Sequence, residues 1–212
     1  VRDQLAPQNG LFTLAEREND GTRLRVIGSV ADVLVAPEDA HAVIEALAAP
    51  STRLVTLTVT EKGYCHDPAT GRLSVAHPHV VHDLARPDRP VSALGFLTAG
   101  LNRRRITGAD PLTLISCDNL PHNGAVLKHV LVSFAGALDP DLGAWIEANV
   151  GFPSTMVDRI VPATTDADRV ALAETQGYQD QGLVKAEPFS QWIIEDRFAS
   201  ERPPFESVGV QV

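Results

Sequence analysis

The chain has 212 residues, 44% of them hydrophobic, with a formal charge of −9 and an isoelectric point near 5.2, enough for one sizeable core or one domain with an appendage. The acidic balance argues against a nucleic-acid or anionic-membrane surface, which would need a basic face. Two distant cysteines, Cys65 and Cys117, suggest no disulfide framework and fit a reducing cytoplasm, and no apolar run approaches the roughly 18–20 residues of a membrane span.

No signal-peptide pattern opens the chain, which begins at Val1 rather than Met, so a fragment of a longer protein is expected. Leu11–Leu14 and Arg23–Ile27 flank Asn19-Asp20-Gly21, a hairpin signal. Val35–Ala49 reads as a helix with Pro37, Glu38 and Asp39 at its start and Val43, Ile44 and Leu47 on one face. Arg53–Thr60 is a β-branched run of strand length. A polar, proline- and histidine-rich stretch follows from Tyr64 to Pro90 and reads as an irregular loop. Val91–Arg105 reads as a helix on Leu94, Leu97 and Leu101. Its end, Arg103-Arg104-Arg105, suits a helix C-terminus, with phosphate binding as the alternative. Leu112–Ser116 is a second buried strand. Helices are expected over Gly124–Ala137, from Asp139-Pro140 through Ile146, and over Asp166–Gln176 with Gly177 closing the last. Leu183-Val184 and Trp192–Ile194 read as strands, and Pro203-Pro204 as a turn. Strand, crossover helix, strand predicts a mostly parallel α/β sheet.

Four segments carry candidate chemistry. In Met156-Val157-Asp158-Arg159-Ile160-Val161 an acid and a base stand inside an apolar run whose aliphatics should turn inward. The pair is either a structural ion pair or a polar site at a core edge. Cys117-Asp118-Asn119-Leu120-Pro121-His122-Asn123-Gly124 follows a strand and precedes a helix. Ligands of open α/β sheets bind at such strand ends, where an Asn amide can donate to a carbonyl or developing alkoxide. The same residues are also ordinary turn and cap residues, the role expected for His122 and Asn123. Glu61, at the end of a strand before Gly63, either faces a cleft or is a solvated loop acid. Cys65, His66, His77, His79 and His82 are crowded as zinc ligands would be, but in no known zinc spacing, so no metal is expected. Neither a GxGxxG, a P-loop, a GxSxG nor an HExxH occurs, and the first absence leaves no glycine-rich pyrophosphate turn.

Taken together, VGFPSTMVDRIVP (150–162), TLTVTEKGY (56–64), ISCDNLPHNG (115–124) and EPFSQW (187–192) resemble the signature blocks of the mannitol dehydrogenase family, the long-chain polyol dehydrogenases and hexuronate reductases, in the family's order. The resemblance implies a Rossmann-like domain, incomplete at its N-terminal part and opening on a β-hairpin, over residues 1–212. The family's glycine-rich turn would lie upstream of a segment like Arg2–Leu11. A helical substrate domain bearing the general-base lysine would lie downstream. Lys62, Lys128 and Lys185 match none of its positions. The implied reaction passes a hydride between a polyol or hexonate hydroxyl carbon (mannitol/fructose or mannonate/fructuronate type) and NAD, with NADP not excluded. Asn119 would bind the substrate oxygen and Glu61 would help move the proton, both as catalytic residues. Asp158 would lie in the substrate pocket, and Thr60 and Asp118 on the cofactor side. The implied partner is a small sugar alcohol or hexuronate. The chain by itself is expected to be inactive, the alternative being a non-catalytic binding or structural domain that keeps the scaffold.

Overall fold

A computed structural model describes residues 1–18, 21–59 and 61–212, with only the backbone described at Glu18 and Glu61. In chain order its main elements are α1 (Arg2–Leu5), β1 (Phe12–Glu18), β2 (Gly21–Ile27), α2 (Ala40–Ala48), β3 (Leu54–Leu57), α3 (Pro78–Ala85), α4 (Ala93–Thr107), β4 (Thr113–Ser116), α5 (Asn123–Leu138), α6 (Pro140–Asn149), β5 (Thr155–Asp158), α7 (Asp166–Gln176), β6 (Val184–Ala186) and β7 (Gln191–Ile194). The chain divides into two compact units: Val1–Val35 with Asp158–Gln191, and Ala36–Val157 with Trp192–Val212.

In the first unit the predicted hairpin forms. β1 and β2 pair antiparallel from Phe12↔Ile27 to Glu18↔Gly21. The expected turn residues Asn19 and Asp20 lie outside the described residues. β1 also pairs parallel with β6, Leu14 opposite Val184. Ala15, Leu172 and Leu183 form a small core under Leu24. α7 has the predicted bounds because both ends carry caps. The Thr165 hydroxyl and the Asp168 carboxylate form a capping box, and Gly177 ends the helix at φ 75°.

The second unit holds the larger core. β3 and β4 pair parallel, with Leu54 opposite Thr113 and Leu57 opposite Ser116. β4 is wholly buried, as a strand covered on both faces should be. Leu94, Leu97 and Leu101 of α4, as predicted, pack in one cluster with Leu127, Leu131 and Phe134 of α5 and Ile146 of α6. On the other side of β4, Leu114 N donates to Gly151 O at 2.9 Å and Gly151 N to Leu112 O at 3.0 Å. The run leading into β5 thus extends the parallel edge, and β5 pairs with β7. The architecture is the Rossmann-like α/β class expected.

Two expectations need correction, and a third gains a detail. The stretch Tyr64–Pro90 contains α3. His77 caps it, its Nδ1 accepting from His79 N at 3.3 Å, and Pro78 takes the first helical position, where its missing N–H costs nothing. The arginine cluster stands in the last turns of α4, as read, and its middle residue turns inward. Arg104 is 1% exposed and donates to the carbonyls of Leu47, Ala49 and Asp110 at 2.6–3.2 Å. Finally, Met156, Ile160 and Val161 do not turn inward; they are 42%, 62% and 55% exposed. Extended chain alternates its faces, and the inward place next to Asp158 falls to Arg159. Its Nη2 pairs with Glu16 Oε1 at 2.6 Å and donates to the Glu187 carbonyl at 2.9 Å. Of the two readings of this run, an ion pair or a polar site, Arg159 forms an ion pair, but its acid is Glu16.

Candidate functional site at the strand ends of the second unit

The parallel register decides where the candidate residues go. Leu57 and Ser116 are opposite one another at the carboxyl ends of β3 and β4, and Cys117 N donates to Leu57 O at 2.8 Å. The segment that carries Glu61 and the segment that carries Asn119 consequently leave the sheet from one edge, where open α/β sheets place ligands.

A hydrogen-bonded cluster shapes this edge. After β3 the chain makes a 3-10 turn over Glu61–Tyr64. The Tyr64 ring is buried, and its hydroxyl donates to Asp118 Oδ2 and contacts Ser116 Oγ. Ser116 Oγ also donates to Asp118 Oδ2, at 2.8 Å, and Leu120 N donates to Asp118 Oδ1 at 2.9 Å. Both oxygens of Asp118 are thus engaged within the turn. Burial, and then the Asp118 carboxylate, push the Tyr64 phenol well above its ordinary range, so it remains a donor. Burial and the Asp118 charge push the Cys117 thiol up as well, so it is no ready thiolate.

Asn123 supports the turn from below. It is fully buried, and Nδ2 donates to Asp118 O at 3.0 Å, Thr155 O at 3.1 Å and Ser116 O at 3.3 Å, while Oδ1 accepts from Thr155 N at 2.9 Å. It ties β4, the first turn of α5 and β5 together. Asn119, between these hydrogen-bonded residues, is exposed. Asp158 closes β5 and is exposed. Thr60 lies outside the described residues, and so does the side chain of Glu61.

Of the five crowded metal-ligand types, the fold gathers three: the donor atoms of Cys65, His77 and His79 lie within 4.8 Å of one another. His82 instead holds the buried Asp83, Nδ1 to Oδ1 at 2.8 Å. A separate cavity of about 540 Å³ in the same unit is lined by helical residues including His41, Asp83, Thr98, Arg103 and Phe134. None of the described strand-end residues lines it.

The family model described as the Mannitol dehydrogenase Rossmann domain matches residues 1–207. The chain belongs to the mannitol dehydrogenase family. Over its whole length this family member is 45% identical to the uncharacterized oxidoreductase YeiQ of Escherichia coli (strain K12) and 46% identical to a mannitol 2-dehydrogenase of Pyrenophora tritici-repentis, covering 44% and 38% of those proteins. The solved ternary complex of Pseudomonas fluorescens mannitol 2-dehydrogenase with NAD and D-mannitol superposes with a TM-score of 0.94 at 48% identity, over 99% of this chain and 43% of that one. A substrate-free D-sorbitol dehydrogenase superposes equally well at 39% identity. The chain therefore spans about two-fifths of the length of its relatives. Among the described residues, no helix is long and apolar enough to cross a membrane.

Residue-level reading of the sequence did not single out Tyr64 or Ser116. Tyr64 stands some fifty residues from Ser116 and Asp118, and only the parallel pairing brings them together.

Proposed function

We infer that this chain is most of the dinucleotide-binding domain of a polyol dehydrogenase that moves a hydride between a sugar-alcohol carbon and NAD. The observation that carries the reading is the Leu57↔Ser116 register, which brings the Glu61 and Asn119 segments to one sheet edge. A bound NAD would supply the hydride acceptor. This edge fits the substrate end of such a cofactor, because it offers an exposed amide on a hydrogen-bonded turn. The sequence offers no glycine-rich turn for the pyrophosphate, so the reading requires that part to come from outside these residues.

Within this reading Asn119 donates its amide hydrogens to the substrate oxygen, where charge develops. Glu61 carries the proton away from the site. Asp158 contributes to the substrate pocket. Thr60 and Asp118 belong to the cofactor side, Asp118 through the shape of the turn rather than through a free carboxylate. The 212 residues alone are expected to be inactive, since no residue here matches the family's base lysine. Mannitol-type polyols are the favoured substrates, with hexonates as the second class and NADP as the second cofactor.

The test uses the natural full-length protein. Asn119→Ala should lower kcat/KM for the polyol by about 10²–10³-fold, the usual cost of losing one such donor, with NAD affinity unchanged. Full activity in that variant would remove Asn119 from the reaction.

A further inference from the structure

We propose that Tyr64 is a positioning residue for Asn119, acting through the Asp118 carboxylate; the proposal rests on the role given above to Asn119. The Asp118 Oδ1 bond to Leu120 N makes residues 118–120 an Asx turn, with Asn119 at its centre. The direction of the Asn119 side chain therefore follows the orientation of the Asp118 carboxylate. That orientation is set at the other oxygen, Oδ2, by the hydroxyls of Tyr64 and Ser116. The two hydroxyls also touch each other, so two hydrogens serve three contacts. The arrangement is satisfied only while both donors are present.

The Tyr64 hydroxyl is the longer lever of the two. It comes from the segment that follows β3, three residues after Glu61, and it reaches across to the segment that follows β4. It thereby couples the placement of the two strand-end segments. Tyr64 is itself 1% exposed and inside the hydrophobic cluster, so it does not touch the substrate and acts only through its neighbours. Phenylalanine keeps the ring in the core and removes only the hydroxyl, which separates positioning from packing.

The experiment is a double-mutant cycle on the full-length enzyme with Tyr64→Phe and Asn119→Ala, read as kcat and KM for the polyol, NAD dissociation constant and thermal midpoint. Misplacement of a reacting group by an ångström costs up to about 10²-fold. Tyr64→Phe is therefore expected to lower kcat about 10- to 100-fold, with the NAD dissociation constant changed less than about twofold. In the Asn119→Ala background Tyr64→Phe should cost nothing further, since residues acting as a unit are non-additive. Ser116→Ala should show the same pattern with a smaller loss, and it serves if Tyr64→Phe fails to fold. An equal loss in both backgrounds, or no loss beside an intact Asn119, overturns the proposal. If Asn119→Ala alone retains full activity, the role of Asn119 falls first and the positioning role falls with it.

Discussion

The side chain of Asn123 and the backbone of Thr155 exchange a pair of hydrogen bonds, Oδ1 accepting from Thr155 N at 2.9 Å and Nδ2 donating to Thr155 O at 3.1 Å. A side-chain amide here does what a neighbouring strand would do, pairing both backbone groups of one residue. The same amide caps the turn after β4 by donating to Ser116 O and Asp118 O. Two asparagines four residues apart thus have opposite duties, Asn123 holding the frame and Asn119 standing outside it.

The first prediction follows from that contrast. Asn123→Ala takes a partner from the buried Ser116 carbonyl and from the half-buried backbone groups of Asp118 and Thr155, and a buried group left unpaired costs about 1–3 kcal/mol. We expect a loss of about 3 kcal/mol in a denaturant melt. Asn119→Ala, at an exposed position, should stay within about 0.5 kcal/mol of the parent. Equal melting behaviour of the two variants would show that Asn123 does not hold the turn.

Gly124 makes a second, steric prediction. A Cβ there would stand 2.6 Å from the Phe152 oxygen and from the carbonyl carbon and oxygen of Pro153. These are backbone atoms that cannot swing aside. The first turn of α5 can approach the 152–153 chain this closely only without a side chain. Gly124→Ala, ordinarily helix-favouring, should destabilise by about 2 kcal/mol or more. An unchanged or raised thermal midpoint would contradict the close approach.

How much of this was legible depended on whether the deciding contacts were local. α7 could be read to the residue because Thr165, Asp168 and Gly177 mark it within the helix itself. The hairpin was legible from its turn. α2 begins later than read, because Asp39 caps it by accepting from Ala42 N. α3 was hidden by Pro78 and by His77, residues that resemble loop residues until one sees them as first residue and cap. Arg104 was illegible as a buried group, since its partners at Leu47 and Ala49 precede it by more than fifty residues. In the same way, the contact of Tyr64 with Asp118 depends on β3 and β4 pairing in parallel. The roles of Asn119 and Glu61 came only from family resemblance; the residues alone left each of them between site and turn.

Asp83 supplies a pH-dependent prediction. Its carboxylate is fully buried and links α3 to the start of α4. Oδ1 accepts from Val91 N at 2.9 Å and His82 Nδ1 at 2.8 Å, and Oδ2 from Ser92 N at 2.9 Å and Ser92 Oγ at 2.6 Å. Burial pushes this acid up, but the Ser92 hydroxyl, His82 and the two backbone N–H groups together outweigh it and hold it below the usual carboxylate range. The Cys65 thiol is a further titratable group that feels the Asp83 charge. A depressed folded-state value means stability that is present above the unfolded value of about 3.9 and is lost as pH falls through the folded value. We expect unfolding free energy to decline below about pH 4. Asp83→Asn should be less stable at neutral pH by about 2–3 kcal/mol and should decline less on the acid side. An acid limb of unchanged steepness in Asp83→Asn would assign the effect to other carboxylates.

The histidine-rich stretch gives the last prediction. Cys65, His77 and His79 come within reach of a common ion, yet four features oppose a cation there. Among the described residues the set is one ligand short of the four that a closed structural zinc site uses. It lies at the N-terminus of α3, where the helix dipole favours negative charge. The His77 Nδ1 lone pair already accepts the His79 backbone N–H, a bond that a metal at Nδ1 would displace and that a metal at Nε2 would turn into a clash of two donors. Burial, with the Asp83 charge next, also pushes the Cys65 thiol up, so a proton competes for the sulfur. Dialysis of the full-length protein against a chelator should therefore leave both its thermal midpoint and its polyol oxidation unchanged, and added zinc should not raise the midpoint. One equivalent of zinc surviving purification, lost in Cys65→Ser and weakened in His79→Ala, would show that coordination overrides the dipole and the cap.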